Sequence, residues 1–297
     1  MQDRLSRRAF TLSAIAFGAG VLTPRTHAAE KSDLQLKIGV LQGMFRDAQP
    51  AVVRSLAKPF REVIQKQTGF TGAVEVCADP LAMVERLREK ELHIGVFHGF
   101  EFAWAQQLCP ELLPLVVAMP AGNAAQAVVV VNRDCKHTRL ADFVVEPVAI
   151  PRGAKAHAIA YFQKARAALP EGCAKPLDKP GMGPDELLRA VASGEQAAAL
   201  VDVGAYEGYQ ALQPGAFKLL KVLDTSEVFP PAVVAYRKGS MTDKDVERLR
   251  DGLATANRAP SGKMMMLWNL KGFEAPPADY QTRLDAILKA YPLPASK

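Results

Sequence analysis

Residues 78–98 read ADPLAMVERLREKELHIGVFH, in which a helical pattern runs directly into a short apolar strand. Val84 and Leu87 fall on one face of the predicted helix at 80–90, and a strand is predicted at 92–97. The elements upstream alternate in the same way, with a strand at 37–41, a helix at 50–68 and a strand at 73–77. Such alternation is typical of a mostly parallel sheet flanked by helices, so we predict an α/β fold.

The same order of elements recurs in the second half of the chain. Residues 184–202 read PDELLRAVASGEQAAALVD and match the first segment at an offset of 104 residues. The match pairs Pro80 with Pro184, and it pairs the strand ends His98 and Asp202. Generic helix and strand order can produce such a match by chance, but two similar α/β lobes explain it more economically.

Two apolar runs, at 128–131 and 232–236, are predicted to cross between these lobes. Lobe 1 then comprises residues 34–132 plus 238–291, and lobe 2 comprises residues 133–237. Two short extended crossings would form a hinge, because only a few backbone dihedral angles must change while each core stays packed. We expect the helical C-terminal part to pack back on lobe 1.

Composition limits the class of protein. Of the 297 residues, 49% are hydrophobic and 23% are charged, as in ordinary water-soluble globular proteins. The formal net charge is +6, and part of that excess comes from arginines within residues 1–28. The rest of the chain has no basic block interleaved with aromatic residues, so we expect no nucleic-acid partner.

Residues 1–28 are predicted to be an export signal peptide. They combine the pair Arg7 and Arg8, an apolar stretch at 9–22 and a small-residue cleavage pattern at 26–28 or 27–29. The arginine pair resembles the twin-arginine signal, and a general secretory signal is the alternative. Both alternatives place the mature protein in the periplasm, with the signal peptide cleaved.

Four cysteines lie in the mature chain, and an oxidising compartment allows them to form disulfides. Cys109 and Cys135 flank two apolar runs that could form an antiparallel hairpin. Both cysteines would then lie near its open end, so we predict a Cys109–Cys135 disulfide. Four free buried thiols are the alternative.

The chain resembles the periplasmic solute-binding proteins of phosphate/phosphite/phosphonate ABC transporters, which have the type II periplasmic-binding fold. The segments 37–41, 78–97 and 186–202 carry the resemblance, which extends over about 34–291. It implies a two-lobed protein, each lobe a mostly parallel sheet flanked by helices, that closes on a small ligand through a two-segment hinge. It also implies delivery of that ligand to a permease.

One turn departs from the pattern of this family. Members that bind phosphonates are similar in having a Ser/Thr-rich turn after the first strand of the second lobe. The matching residues here, 151–157, read PRGAKAH and contain no hydroxyl. The resemblance therefore implies a small ligand but not a phosphonate in particular. The basic residues of this turn indicate that the ligand is anionic.

In an open α/β sheet, ligands bind beyond the carboxyl ends of the strands. The turn with Arg152, Lys155 and His157 precedes a predicted helix there, so an anion could accept hydrogen bonds from cations and free backbone amides. Arg152 is the preferred contact, because a guanidinium binds carboxylate or phosphate through two hydrogen bonds. The alternative is a solvated loop.

Three further candidates follow strands or begin helices. His98 is a predicted ligand contact or a structural histidine, and Asp202 either accepts hydrogen bonds from the ligand or caps a helix. Glu101 could contact the ligand, or pair with Arg152 or Arg46 to fix lobe closure.

Aromatic residues near the strand ends could form an apolar wall for an organic ligand. Phe45 and Tyr206 are the candidates for this wall, together with Phe100 and Phe102, although such residues are more often part of the core. Arg46 is a possible second cation for the ligand.

No catalytic motif is present in the sequence: it has no G-x-S-x-G, H-E-x-x-H, Walker A or G-x-G-x-x-G pattern in the required context. We therefore expect a non-enzymatic, monomeric binding protein without a metal or cofactor, whose partners are a small-molecule ligand and an ABC transporter permease. A periplasmic sensor that signals to a membrane receptor, and an exported enzyme, remain alternatives.

Overall fold

The computed structural model describes residues 34–45, 49–120, 122, 125–256 and 270–293. The predicted signal peptide and Arg46 lie outside these residues. The strands are β1 (Gln35–Leu41), β2 (Thr71–Cys77), β3 (Ile94–Phe97), β4 (Leu112–Pro120), β5 (Ala127–Asn132), β6 (Val148–Pro151), β7 (Pro176–Lys179), β8 (Ala198–Asp202), β9 (Leu220–Thr225), β10 (Val233–Arg237) and β11 (Leu270–Glu274). The helices are α1 (Pro50–Thr68), α2 (Pro80–Arg88), α3 (Gly99–Leu108), α4 (Ala156–Ala167), α5 (Pro184–Ser193), α6 (Val203–Leu212), α7 (Pro214–Phe217), α8 (Asp243–Thr255) and α9 (Tyr280–Ala290).

The strands form two mixed sheets, one in each lobe, as the α/β prediction requires. The first sheet has the order β11-β4-β10-β3-β1-β2, and the second has the order β7-β6-β8-β5-β9. In the first sheet β1 pairs in parallel with β2 and β3, and in the second β6 pairs in parallel with β7 and β8. One antiparallel strand follows in each, β10 against β3 and β5 against β8. The two lobes therefore repeat one strand pattern.

The predicted crossings at 128–131 and 232–236 are instead central strands. β5 pairs with β8 and β9 of the second sheet, and β10 pairs with β3 and β4 of the first. The predicted crossings lie one strand too late in the chain, because an apolar run reveals a buried strand but not the sheet that the strand joins. We propose that the lobes divide between Pro120 and Ala127 and again between Thr225 and Val233.

Backbone hydrogen bonds tie the two passages between the lobes together. The N–H of Ser226 donates to the carbonyl of Ala127 at 2.9 Å, and the N–H of Phe229 donates to the carbonyl of Ala125 at 2.8 Å. The Ser226 hydroxyl is buried and accepts from the N–H of Ala127 at 2.9 Å. The two passages are thus paired over a short length, as expected for a two-segment hinge.

The second passage is also fixed to the first lobe. The Tyr280 hydroxyl of α9 donates to the carbonyl of Pro231 at 3.0 Å. Gly99, at the start of α3, lies so close to Pro230 that a Cβ atom there would collide with the Pro230 carbonyl. Tyr280 and Leu284 of α9 are buried in the core of the first lobe as expected, while Ile287 and the following Tyr291 belong to the cluster that contains the core of the second lobe.

The predicted Cys109–Cys135 disulfide is wrong, because all four cysteines are free. Cys109 is buried in the core of the first lobe, whereas Cys135 packs against the core of the second. The hairpin that would have brought them together does not form, since β4 pairs with β10 and β11 while β5 pairs with β8 and β9.

Among the described residues, no helix combines the length and the apolar character needed to cross a bilayer.

Gly99→Ala is expected to destabilise the protein, because the new methyl group must displace the backbone of Pro230. Overpacking of this kind costs about 1–3 kcal/mol, which corresponds to roughly 2–4 °C in Tm for each kcal/mol at this chain length. The control is Gly208→Ala in α6, where a Cβ atom has open space. Thermal unfolding of both variants checks the prediction, and an unchanged Tm for Gly99→Ala would contradict the close approach.

Candidate functional site

A cavity of about 540 Å³ lies between the two lobes; we call it the cleft. Side chains from both lobes line it. The first lobe contributes Met44, Phe45, His98 and Phe273, and the second contributes Lys155 and Asp202. A molecule in the cleft therefore contacts both sheets at once, as a ligand that holds two lobes together must.

The polar residues of the cleft come from the carboxyl ends of strands. His98 follows β3 and is the residue before α3, Lys155 precedes α4 just beyond β6, and Asp202 ends β8 before α6. His98 and Asp202 hold equivalent positions in the two lobes, in agreement with the 104-residue offset. In open α/β sheets this edge is where ligands bind, because strand ends and helix starts converge there.

Lys155 and Asp202 form an ion pair within the second lobe. The Lys155 Nζ atom donates to Asp202 Oδ1 at 3.0 Å, and the two side chains are 28% and 8% exposed. The same Oδ1 atom accepts from the N–H of Ala205 at 3.2 Å, which caps α6. Asp202 is thus both a helix cap and the partner of the cleft lysine.

Three helices start at the edge of the cleft, α3 after His98, α4 after Lys155 and α6 after Asp202. The first N–H groups of a helix lack partners within the helix, and the aligned peptide dipoles give that end a partial positive charge. At the start of α6 the Asp202 carboxylate already occupies this position. The residues before α3 and α4 provide no side-chain cap, and His98 and Lys155 at these positions line the cleft.

A second cavity, of about 330 Å³, shares His98 with the cleft and lies on the hinge side of it; we call it the rear cavity. Its walls include Phe100 of α3, His157 of α4 and the segment Phe229, Pro230 and Pro231. The rings of His157 and Phe229 lie 5.2 Å apart, and those of Phe100 and Phe229 lie 5.8 Å apart. The rear cavity is therefore bounded mainly by aromatic and proline side chains.

The two histidines of the rear cavity are held neutral. Burial lowers the pKa of His98 to about 3 and that of His157 to about 4, and the charge of nearby Lys155 acts in the same direction. The rings lie 6.4 Å apart across the lobe boundary. Because both pKa values are depressed from 6.5, the stability that the neutral rings contribute is fully present above pH 6.5 and is lost as the pH falls towards 4 and 3.

Glu101 lies beneath His98, inside the first lobe. Its carboxylate is 6% exposed, and burial raises its pKa to about 7, opposed by a hydrogen bond from the N–H of His98. Its Oε2 atom has no hydrogen-bond partner among the described residues. Glu101 is therefore a buried group of the first lobe.

The structure brings together some of the predicted site residues and separates others. Phe45, His98, Lys155 and Asp202 line the cleft, and His157 lines the rear cavity. Phe100 also lines the rear cavity, while Phe102 is buried in the core of the first lobe.

Two predicted contacts have different surroundings. Arg152 is exposed on the turn after β6, and its N–H donates to the carbonyl of Met182 at 2.8 Å. Tyr206 packs against Phe217, with ring centroids 4.7 Å apart, beside the core of the second lobe. These side chains are not among the described lining residues of the cleft.

Sequence reasoning missed Phe229 and Phe273. An aromatic residue followed by two prolines just before an apolar run was a usable signal for Phe229, because such a segment cannot continue a helix or a central strand. Phe273 had no such signal, since β11 is short and its partner β4 is distant in the sequence.

A family described as "ABC transporter, phosphonate, periplasmic substrate-binding protein" matches residues 43–280. The binding-protein component of an ABC phosphonate transporter from Pseudomonas aeruginosa shares 15% identity, with a TM-score of 0.61, over 85% of this chain and 84% of that one. PhnD1 from Prochlorococcus marinus, in complex with methylphosphonate, shares 13% identity, with a TM-score of 0.62, over 86% and 97%.

XAC2383 from Xanthomonas citri, bound to ATP, shares 15% identity, with a TM-score of 0.63, over 86% of this chain and 96% of that one. No curated protein matches the chain. At these identities the solved structures show the fold, which is that of the type II periplasmic binding proteins.

Replacing Glu101 by Gln is expected to remove a loss of stability that occurs as the pH rises from about 4.5 to about 7. Over this range the unfolded chain releases the Glu101 proton while the folded protein keeps it, so ionisation favours unfolding. The difference amounts to on the order of 2–3 kcal/mol. Tm measured from pH 4.5 to 7.5 should therefore show Glu101→Gln gaining several degrees on the wild type as the pH rises.

The matched control is Glu247→Gln, which changes an exposed carboxylate in the middle of α8. Its Tm should follow the wild type across the same range. A constant difference between Glu101→Gln and the wild type at every pH would contradict the raised pKa.

Proposed function

The chain belongs to the family of periplasmic substrate-binding proteins of ABC phosphonate transporters, and from this premise we propose that it is the extracytoplasmic solute-binding component of such a transporter. Its two lobes close on a small anionic ligand, which is phosphonate-like, phosphate-like or an organic acid. The cleft between the lobes, with Lys155 on one wall and His98 on the other, is the observation that carries this proposal.

The anionic character of the ligand is supported by the charge at the cleft. Lys155 extends into it, and the uncapped starts of α3 and α4 add partial positive charge from opposite lobes. Charge-assisted hydrogen bonds of this kind contribute about 1.5–3 kcal/mol each. An anion held at Lys155 and in contact with His98 would link the two lobes.

The identity of the anion is less constrained. The turn at 151–157 lacks the hydroxyl groups that the phosphonate-binding pattern has, and Asp202 already neutralises Lys155. A ligand at Lys155 must therefore compete with the Asp202 carboxylate. This competition disfavours a weakly bound halide and favours an anionic group that accepts several hydrogen bonds.

Closure follows from the balance between ligand contacts and hinge freedom. A ligand that contacts both lobes binds the closed arrangement better than the open one, so it shifts the population towards closure. The two short hydrogen-bonded passages between the lobes are where the backbone would turn during closure. We propose that the closed form is what the permease recognises.

The family is periplasmic, and its members work with an ABC transporter permease. We propose that residues 1–28 are removed during export and that the mature protein acts as a monomer. No chemical conversion of the ligand is required.

Two substitutions at the cleft ion pair should change anion affinity in opposite directions. Lys155→Met removes the cation and should weaken binding roughly 10–100-fold, the equivalent of about 1.5–3 kcal/mol. Asp202→Asn removes the competing carboxylate, leaves the cap acceptor and should tighten binding. Calorimetry with phosphate, methylphosphonate, sulfate and small carboxylates, chosen after a thermal-shift screen, measures both effects.

Two further variants complete this series. Lys175→Met is the control, because Lys175 is exposed at the amino end of β7, away from the cleft. Arg152→Ala tests the contact preferred from the sequence, and we expect a smaller loss than for Lys155→Met, because Arg152 is exposed on its turn. Stabilisation by neutral or cationic compounds alone, or unchanged affinity in Lys155→Met, would remove the proposed anion site.

Transport itself is tested in cells. Deletion of this protein should abolish uptake of the anion identified in the screen, and expression of the wild type should restore uptake while Lys155→Met should not. Normal uptake in the deletion strain would contradict a role in delivery to a permease.

A further inference from the structure

Two histidines line the rear cavity, and each has a buried ring nitrogen without a hydrogen-bond partner among the described residues. His98 belongs to the first lobe and His157, which is 3% exposed, belongs to the second. The Nε2 atoms of both are buried and have no hydrogen-bond partner among the described residues. A buried polar atom left without a partner costs about 1–3 kcal/mol. Two such atoms beside one cavity indicate that a bound molecule supplies the partner.

The two histidine rings lie where a ligand can reach them when the lobes open. Because the two rings lie 6.4 Å apart on opposite lobes, opening of the lobes separates the walls and uncovers both. Closing around a ligand then places part of it in the rear cavity beside both rings. The cleft and the rear cavity share His98, so one molecule can occupy both.

The unpaired ring nitrogen of His157 indicates which kind of group it needs. A neutral imidazole has one N–H donor and one acceptor nitrogen. Nε2 has no hydrogen-bond partner among the described residues, so the group that meets it must form a hydrogen bond in one of these two roles. A hydroxyl or amide group, which both donates and accepts, meets this need.

The rest of the rear cavity suits an uncharged, apolar group. Its wall is mostly apolar and includes Phe100, Phe229 and Pro230, and the charged residue among its described lining, Arg283, is paired with Asp279 at 3.2 Å. The volume of about 330 Å³ equals that of about ten water molecules at ~30 Å³ each. That is room for a short alkyl chain or one aromatic ring with a substituent.

We propose that the ligand is an organic anion whose uncharged arm fills the rear cavity and forms a hydrogen bond, through a hydroxyl or amide group, with His157. This inference rests on the proposed function, because it assumes that the charged end of the same molecule lies at Lys155. It goes further in excluding inorganic phosphate and methylphosphonate as the preferred ligands, since neither has such an arm.

The test is calorimetry on the wild-type protein with inorganic phosphate, methylphosphonate, butylphosphonate, 4-hydroxybutylphosphonate, benzylphosphonate and 4-hydroxybenzylphosphonate. Each compound with a longer arm should bind more tightly than methylphosphonate. In at least one pair the hydroxyl should raise the affinity about tenfold, as a hydrogen bond to an otherwise unpaired buried atom does. His157→Phe keeps an aromatic wall and should abolish the hydroxyl preference while retaining binding of the unsubstituted arms. His137→Phe, a histidine of the second lobe that pairs with Glu146, is the control and should keep the preference.

The outcomes separate this inference from the proposed function. If phosphate and methylphosphonate bind as tightly as every longer compound, and Lys155→Met weakens them, the anion site stands and the inference is overturned. If the hydroxyl preference persists in His157→Phe, the inference is also overturned. If none of the six compounds binds, the inference is overturned, and the proposed function fails as well unless a small carboxylate binds. Because the comparison of arms uses the wild type, it stands even if His157→Phe does not fold.

Discussion

Two central strands complete the sheet of the opposite half of the chain, and the rest of the structure depends on this exchange. β5 follows β4 of the first sheet but pairs within the second, and β10 follows β9 of the second but pairs within the first. Each is hydrogen-bonded on both sides, so it cannot change lobes without breaking a sheet. Relative movement of the lobes is thereby confined to the short passages between the sheets, and the carboxyl ends of β3, β6 and β8 are held facing one gap.

The chemistry in that gap combines a neutralised ion pair with rings kept uncharged. Lys155 is paired with Asp202, and burial lowers the pKa of His98 and of His157 so that neither ring is cationic at neutral pH. Among the described residues, positive potential at the cleft therefore comes from two helix starts and from a lysine that a carboxylate partly offsets, while the space behind it is mostly apolar. An arrangement of this kind favours a molecule with an anionic end and an uncharged body, because each part meets a matching environment.

The sequence predicts the fold to the level of two similar α/β lobes. The errors in the remaining predictions have a common cause. The pattern in 78–98 and its repeat in 184–202 record the local alternation of helix and strand, which the structure confirms. The crossings were displaced by one strand, and the Cys109–Cys135 disulfide was wrong, for the same reason. Both required knowing which sheet accepts the apolar run at 127–132, and an apolar run carries no information about its partner.

The sequence by itself determined the repeated lobes, the strand ends at which His98 and Asp202 stand, and the basic turn before α4. Tertiary structure alone decided how these residues are used: Lys155 pairs with Asp202 while Arg152 stays exposed, and His98 meets His157 across the lobe boundary. The physical reason is that helix and strand periodicity depends on neighbours a few residues away, whereas an ion pair between residues 47 apart, or two rings from opposite lobes, depends on how two sheets pack.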